Sequence, residues 1–337
     1  MKLKKFIHFF IVFFCCILCL CAHNIQAESR KATFFEGPYT YIIENSEAVL
    51  LSCDSNTVGE IIVPSVLGGF SLTRIEYEAF ENCKHITSIT IPESVLSIGY
   101  GAFSYCEELT EVKLPTALST IEYQLFNYCT NLTNVNLGNN ISSIGYMAFY
   151  NCRKLSQIIL PEGINKISGN AFYNCVQLNN LHLPDDITSI GEKAFAYCEN
   201  LTDITIPDSV TFMGEATFIG CTSLSSVNMG DGLSVIEEFT FTNCKQLCEI
   251  NFGQQITEIK NEAFSSCSSL CMIKIPEKVK VIGENVFKDC TNLRDINFPS
   301  ALSSIGSGAF SSCENLSVLN LPANLYFLGD LAFKCIS

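Results

Sequence analysis

Apolar residues along this chain recur in a fixed figure rather than in isolated clusters. From Phe103 the figure runs through Cys106, Leu109, Val112, Leu114, Pro115, Leu118, Ile121 and Leu125-Phe126. It restarts with Cys129, Leu132, Val135, Leu137, Gly138, Ile141 and Ile144. The stretch Leu-x-x-Val-x-Leu alternates apolar and polar near its end, the mark of a strand with one buried face. A Pro follows it in eight units, and Gly138, Gly230 or Gly253 takes that place in three others. Either residue stops the strand, because Pro cannot donate to a ladder and Gly opens unusual backbone angles. A second apolar pair such as Ile187 and Ile190 comes next. The returning segment, which carries the Phe, reads as a short helix or helical turn.

The Phe anchors fall at 80, 103, 126, 149, 172, 195, 218, 241, 264, 287, 310 and 333, so every interval is 23 residues. One such coil cannot close a core alone, but stacked coils bury equivalent Leu, Ile and Phe side chains against one another. The expected fold is therefore an α/β repeat solenoid. It is an arc with a parallel β-sheet on its concave face and short helical or turn segments opposite.

Three segments are expected. Residues 1–27 read as an export signal, with Lys2, Lys4 and Lys5 before an apolar run from Phe6 to Cys21 and a small Ala27 at the cleavage position. An uncleaved anchor fits less well because the run is short for a full span. A lipoprotein anchor fits less well because Leu20 precedes Cys21. Residues 28–57 form a separate leading segment, and 58–337 a solenoid of about twelve 23-residue units. The last unit stops at Ser337, with Cys335 one position early. A truncated gene, a frayed end or self-association through the C-terminal coil would each account for this.

The repeat resembles the leucine-rich-repeat consensus, and within it the 23-residue subclass of the BspA-like surface proteins. The residues carrying the resemblance are units such as Leu201-Thr-Asp-Ile204-Thr-Ile206-Pro207-Asp-Ser-Val210, followed by Gly214 and Phe218. Ile61-Ile62-Val63-Pro64, with Gly68-Gly69 and Leu72-Thr73-Arg74-Ile75, is similar to that family's longer opening repeat. Tyr39-Thr40-Tyr41-Ile42-Ile43 with Ala48-Val49-Leu50-Leu51 resembles its N-terminal hairpin, which implies that residues 28–57 form an N-terminal cap hairpin over the first open edge. The resemblance implies a secreted or cell-surface location and adhesion to host or matrix proteins or glycans.

Charge narrows the partners. The chain carries 34 acidic against 20 basic residues, a net charge of −14. Such a surface repels phosphate backbones and anionic lipid, so neither nucleic acid nor membrane insertion of the mature chain is expected. Catalysis has little to draw on: beyond the signal only His85 and His182 remain, and no HExxH, G-x-S-x-G or phosphate-binding glycine loop occurs. No enzyme activity and no cofactor are expected.

Of the 19 cysteines, Cys15, Cys16, Cys19 and Cys21 lie in the export segment. Eleven, from Cys83 to Cys313, follow the anchoring Phe by three residues and are expected to stack as small buried thiols. Cys53, Cys248, Cys271 and Cys335 break the series. Cys248 and Cys271 are 23 apart, so a disulfide between neighbouring coils is one reading and two solvent-facing thiols the other. A zinc site made with Cys244 and Cys267 is not expected, since those two belong to the stacking series.

Binding is expected along the outward positions of the strands. The strip is rich in uncharged polar groups that hydrogen-bond peptide or sugar without a large desolvation cost. The candidate ligand-binding residues are Asn136, Gln157, Asn180, His182, Asp203, Asn228, Glu249, Asn251, Lys274 and Asn297. The leading function is recognition of extracellular or host-surface proteins or glycans. The alternative is a structural spacer or self-assembling envelope component.

Overall fold

A computed structural model describes residues 32–335. The segment read as an export signal lies outside the described residues. The chain first makes β1 (Thr33–Glu36), β2 (Tyr39–Glu44) and β3 (Glu47–Cys53), which pair antiparallel in that order. β4 (Val58–Ile62) opens the strand ladder of the solenoid, while β5 (Val66–Leu67) and β6 (Phe70–Ile75) form a small hairpin. β6 then lies parallel to β3, which joins the opening sheet to the first coil.

From here the coils repeat two parallel pairings, although not every pair of neighbours makes both. One strand per coil, for example Glu111–Lys113 and Asn134–Asn136, pairs residue by residue with its equivalent 23 positions away. After the Pro or Gly turn a two-residue strand such as Thr120–Ile121 pairs with Ser143–Ile144 and starts a second ladder. The alternation anticipated from sequence is visible directly: Val112 is buried between the exposed Glu111 and Lys113.

The helical segments expected opposite the sheet are not formed; no helix occurs among the described residues. Backbone hydrogen bonding gives the reason. Around Phe103 the N–H groups of Ser104 and Cys106 close turns onto Gly101 and Phe103, three residues back. The N–H groups of Gly101, Phe103 and Tyr105 instead donate to Tyr123, Leu125 and Asn127 of the next coil. A helix directs all its interior N–H groups to its own chain and could not supply this inter-coil ladder. The alternation requires left-handed residues on either side of the Phe, as at Gln124 (φ 54°) and Tyr128 (φ 59°) around Phe126. Most of these sites lack glycine, so each such residue adopts a conformation it disfavours in isolation. The gain in backbone pairing across the stack outweighs that local cost.

Two columns run through the core. The anchoring Phe rings stack from coil to coil with centroids 5.1 to 5.6 Å apart, and those from Phe80 to Phe310 are fully buried. Beside them the cysteine column is buried, and each thiol from Cys106 onward donates to the carbonyl of the previous coil's Phe at 3.1 to 3.3 Å. Only a small side chain with one weak donor fits that slot and satisfies the carbonyl. Close backbone approach governs a further column: a Cβ on Gly191 would lie 2.3 Å from the Gly169 nitrogen.

Candidate functional site

All ten residues nominated from sequence are exposed on the strand face. The ladder sets their order. Asp203, Ser226 and Glu249 are register partners, as are Thr205, Asn228 and Asn251, and Lys274 faces Asn297. Neighbours along a row are therefore one strand spacing apart, on the order of 4.8 Å, which suits an extended ligand touching several coils.

The strand ladder is not continuous. The first four strands of this face, ending at Asn134–Asn136, form one sheet, and Asp203–Ile206 starts the next. Between them the coils at 157–159 and 180–182 make only a single bridge, Gln157 to Asn180. Leu181 is half-buried there, whereas the equivalent Ile204 is fully covered. The loosened pairing opens a recess of about 490 Å³ lined by Gln157, Ile159, Glu162, Asn180, His182, Asp203 and Thr205. A second recess of about 420 Å³ adjoins it, lined by Asn134, Asn136, Gly138, Asn139, Gln157 and Ile159. Ile159 is 86% exposed and forms an apolar wall shared by both. The recesses thus bring together Asn136, Gln157, Asn180, His182 and Asp203. Asn228, Glu249, Asn251, Lys274 and Asn297 lie outside them, along the later strands.

Local bonds fix some of these side chains. Asn136 accepts from the Gly138 N–H at 3.1 Å, and Asp203 accepts from the Thr202 hydroxyl at 2.8 Å. The recess therefore offers amide donors and acceptors, an imidazole, a carboxylate and one aliphatic surface. That set is chemically capable of hydrogen bonds and apolar contact.

Cys248 and Cys271 are exposed free thiols. Their sulfurs donate to the Ser225 carbonyl at 3.5 Å and the Ser269 carbonyl at 3.3 Å. Their strands, Glu249–Asn251 and Met272–Lys274, belong to different sheets, because the ladder breaks again between them. Cys244 and Cys267 are buried in the thiol column, turned onto the Phe218 and Phe241 carbonyls. The four sulfurs are thus divided between core and surface. Among the described residues no group of three or more His, Cys, Asp or Glu side chains is placed to hold a metal ion.

One surface escaped the reading of the sequence. Tyr77, Tyr100, Tyr123 and Tyr146 stand three residues before successive anchoring Phe residues, with ring centroids 5.2, 6.4 and 5.6 Å apart. A second row runs Tyr105, Tyr128, Tyr150, Tyr173 and Tyr197 with spacings of 4.7 to 5.6 Å. The first row was detectable as a 23-residue tyrosine period. The second changes position within the repeat between Tyr128 and Tyr150, and back again before Tyr197, which hides it from a periodic search. Beyond Tyr146 the first row passes through Gly169 to Glu192, Glu215 and Glu238. A recess of about 390 Å³ lies at that junction, lined by Tyr146, Gly169, Glu192, Phe212, Gly214, Glu215 and Glu237.

Comparison with known proteins bears on the whole chain. The family model for the BspA-type leucine-rich-repeat region matches in overlapping segments, 60–179, 119–237, 165–294 and 211–337. A leucine-rich cell surface protein from Faecalibacterium prausnitzii is 26% identical, with a TM-score of 0.58 over 86% of this chain and 95% of that one. A leucine-rich repeat protein from Bacteroides ovatus is also 26% identical, with a TM-score of 0.42 over 88% and 99% of the two chains. The pneumococcal vaccine antigen PcpA is 16% identical, with a TM-score of 0.50 over 89% and 93%, a likeness of fold. No curated protein sequence matches.

Proposed function

The chain belongs to the BspA-type leucine-rich-repeat family, and from that premise we propose that it is an exported recognition protein that binds extracellular proteins or glycans through its strand face. Proteins of this family are typically found at the cell surface and are not usually enzymes. The observation that carries the proposal is the recess at the interrupted ladder, where Gln157, Asn180, His182 and Asp203 surround the exposed Ile159. Amides beside an aliphatic wall suit a sugar ring or an extended peptide, since both present hydroxyl or amide groups next to apolar carbon. Surface location is supported by the similarity to the F. prausnitzii cell surface protein and by the amino-terminal apolar segment. No helix among the described residues is long and apolar enough to cross a membrane.

The test is solid-phase binding of the protein to matrix proteins, mucins and a glycan array, beside a variant carrying Asn180→Arg and His182→Glu. Saturable binding that the variant loses supports recognition at the recess. Saturable binding that survives in a folded variant moves the site elsewhere.

A second reading, self-association through the coil at 319–331, is favoured by its exposed Leu321, Tyr326, Phe327, Leu328 and Leu331. Light scattering that reports a concentration-independent monomer removes it.

A further inference from the structure

Cys83 heads the thiol column, and it is placed unlike every thiol after it. Each later member donates to a Phe carbonyl 26 residues earlier, as Cys106 does to Phe80 at 3.2 Å. No coil with an anchoring Phe precedes Phe80, so Cys83 has no such carbonyl. What lies there is the end of β3. Tyr39, the β2 register partner of Cys53, sets its ring edge-on to Phe80 at 6.5 Å and covers the open end of the Phe column. Cys53 covers the open end of the thiol column in the same way. Its backbone N–H donates to the Ala79 carbonyl at 2.7 Å. The Cys53 and Cys83 sulfurs lie 3.8 and 3.9 Å from one and the same oxygen, the Asp54 carbonyl.

From this placement we infer that Cys53 and Cys83, both thiols in this structure like every described cysteine, form a disulfide on oxidation that staples the opening antiparallel sheet to the first coil. The two sulfurs share one carbonyl, and the backbones carrying them are already hydrogen-bonded through Cys53 and Ala79. Among the described residues, no other thiol of the buried column has a cysteine from outside the repeat against it.

The protonation pattern distinguishes the two sulfurs. A hydrogen bond from the Cys83 thiol holds the Cys53 thiol below its ordinary range, aided by the Thr57 hydroxyl at 3.5 Å. Cys83, facing the Cys53 sulfur and buried, is pushed up. Cys53 is therefore the sulfur that reacts first, since the thiolate is the attacking form. It attacks one sulfur of a disulfide oxidant, such as oxidised glutathione, and forms a mixed disulfide while one oxidant thiolate leaves and takes up a proton. Cys83 then loses its proton and attacks the Cys53 sulfur, and the second oxidant thiolate leaves. Overall two protein thiols give up two protons and two electrons, and the oxidant disulfide is reduced to two thiols. The inference needs an oxidising compartment, as export would supply, and is independent of what the strand face binds.

The experiment exposes the reduced full-length protein to oxidised glutathione, blocks remaining thiols with iodoacetamide in denaturant and digests without reduction. The expected result is a linked peptide pair containing Cys53 and Cys83, converted on reduction to two free peptides. A Cys53→Ser variant treated in parallel leaves Cys83 alkylated. Recovery of Cys53 and Cys83 each alkylated or glutathionylated in the unsubstituted protein overturns the inference. So does a link from Cys53 to any other cysteine.

Discussion

The coils from Tyr77 to Tyr197 and those from Phe212 to Asp330 share one backbone plan and differ in what they show to solvent. The Phe column is as tight in the first half as in the second, 5.1 Å between Phe149 and Phe172 and 5.2 Å between Phe287 and Phe310. The thiol bonds to Phe carbonyls likewise continue without interruption from Cys106 to Cys313. Outside the core the halves diverge. In the first half the position three residues before the Phe is tyrosine through Tyr146, whereas in the second Glu215, Glu238 and Glu284 occupy it. Stacked tyrosines contribute about 0.5–1.5 kcal/mol per pair beyond burial, whereas carboxylates one coil apart repel. The fold tolerates both because its stability resides in the inner columns. Outward columns are consequently free to vary, and in a repeat protein that is where recognition resides.

Four tests break or sharpen that comparison. The largest effect is expected in alkali and should strike both halves together. Burial pushes Cys106, Cys221, Cys267 and Cys313 up to about 12 from an ordinary value of 9.0. A raised acid is held neutral by the fold, so its contribution is full below the unfolded value and is lost as pH climbs from there toward the folded one. Each thiol then forfeits about 1.4 kcal/mol per pH unit, and four together about 5 kcal/mol, comparable with the whole stability of many domains. Circular dichroism should show one cooperative loss of structure beginning near pH 9. A fold unchanged to about pH 11 would contradict the buried thiol column.

Next in size, Phe149→Ala and Phe287→Ala should each cost about 3–5 kcal/mol in urea unfolding. Equal losses are expected because the two rings have equivalent stacked neighbours. A difference above about 1 kcal/mol would show that the halves do not share one core.

The strand face separates the regions at the level of binding. Asn180→Arg with His182→Glu should weaken ligand binding at least about tenfold, or 1.4 kcal/mol, while Asn297→Arg should change it by less than about twofold. The reverse ranking in a titration would place the ligand on the later strands.

The smallest effect concerns the tyrosine row. Tyr100→Ala should lower stability by about 1 kcal/mol through loss of its two ring neighbours, whereas Glu215→Ala should leave it unchanged or slightly raised. Thermal melts of the two variants that coincide would mean the row is only decoration.

Much of this was legible in the chain. Residues such as Phe126, Cys129, Leu132 and Val135 announce their burial because a solenoid asks the same thing of each coil. The exposed strip was readable for the same reason: Glu111 and Lys113 must point away if Val112 points in. The recess was not readable. It depends on lost pairing between coils at 157–159 and 180–182, and their apolar pattern differs little from that of paired coils. The proximity of Cys53 to Cys83 was equally hidden, since their 30-residue separation matches no period of the repeat.

What the sequence determined by itself is the stack: its 23-residue period, its inner columns and the direction of each strand residue. These follow from burial, which every coil must satisfy alike. The tertiary structure decided the segment around the Phe, where pairing between coils overrides a locally helical pattern and places Gln124 and Tyr128 at positive φ. It also decided where the strand ladder opens and which thiol meets Cys83. Those outcomes depend on hydrogen bonds between residues far apart in the chain, and local patterning carries no record of them.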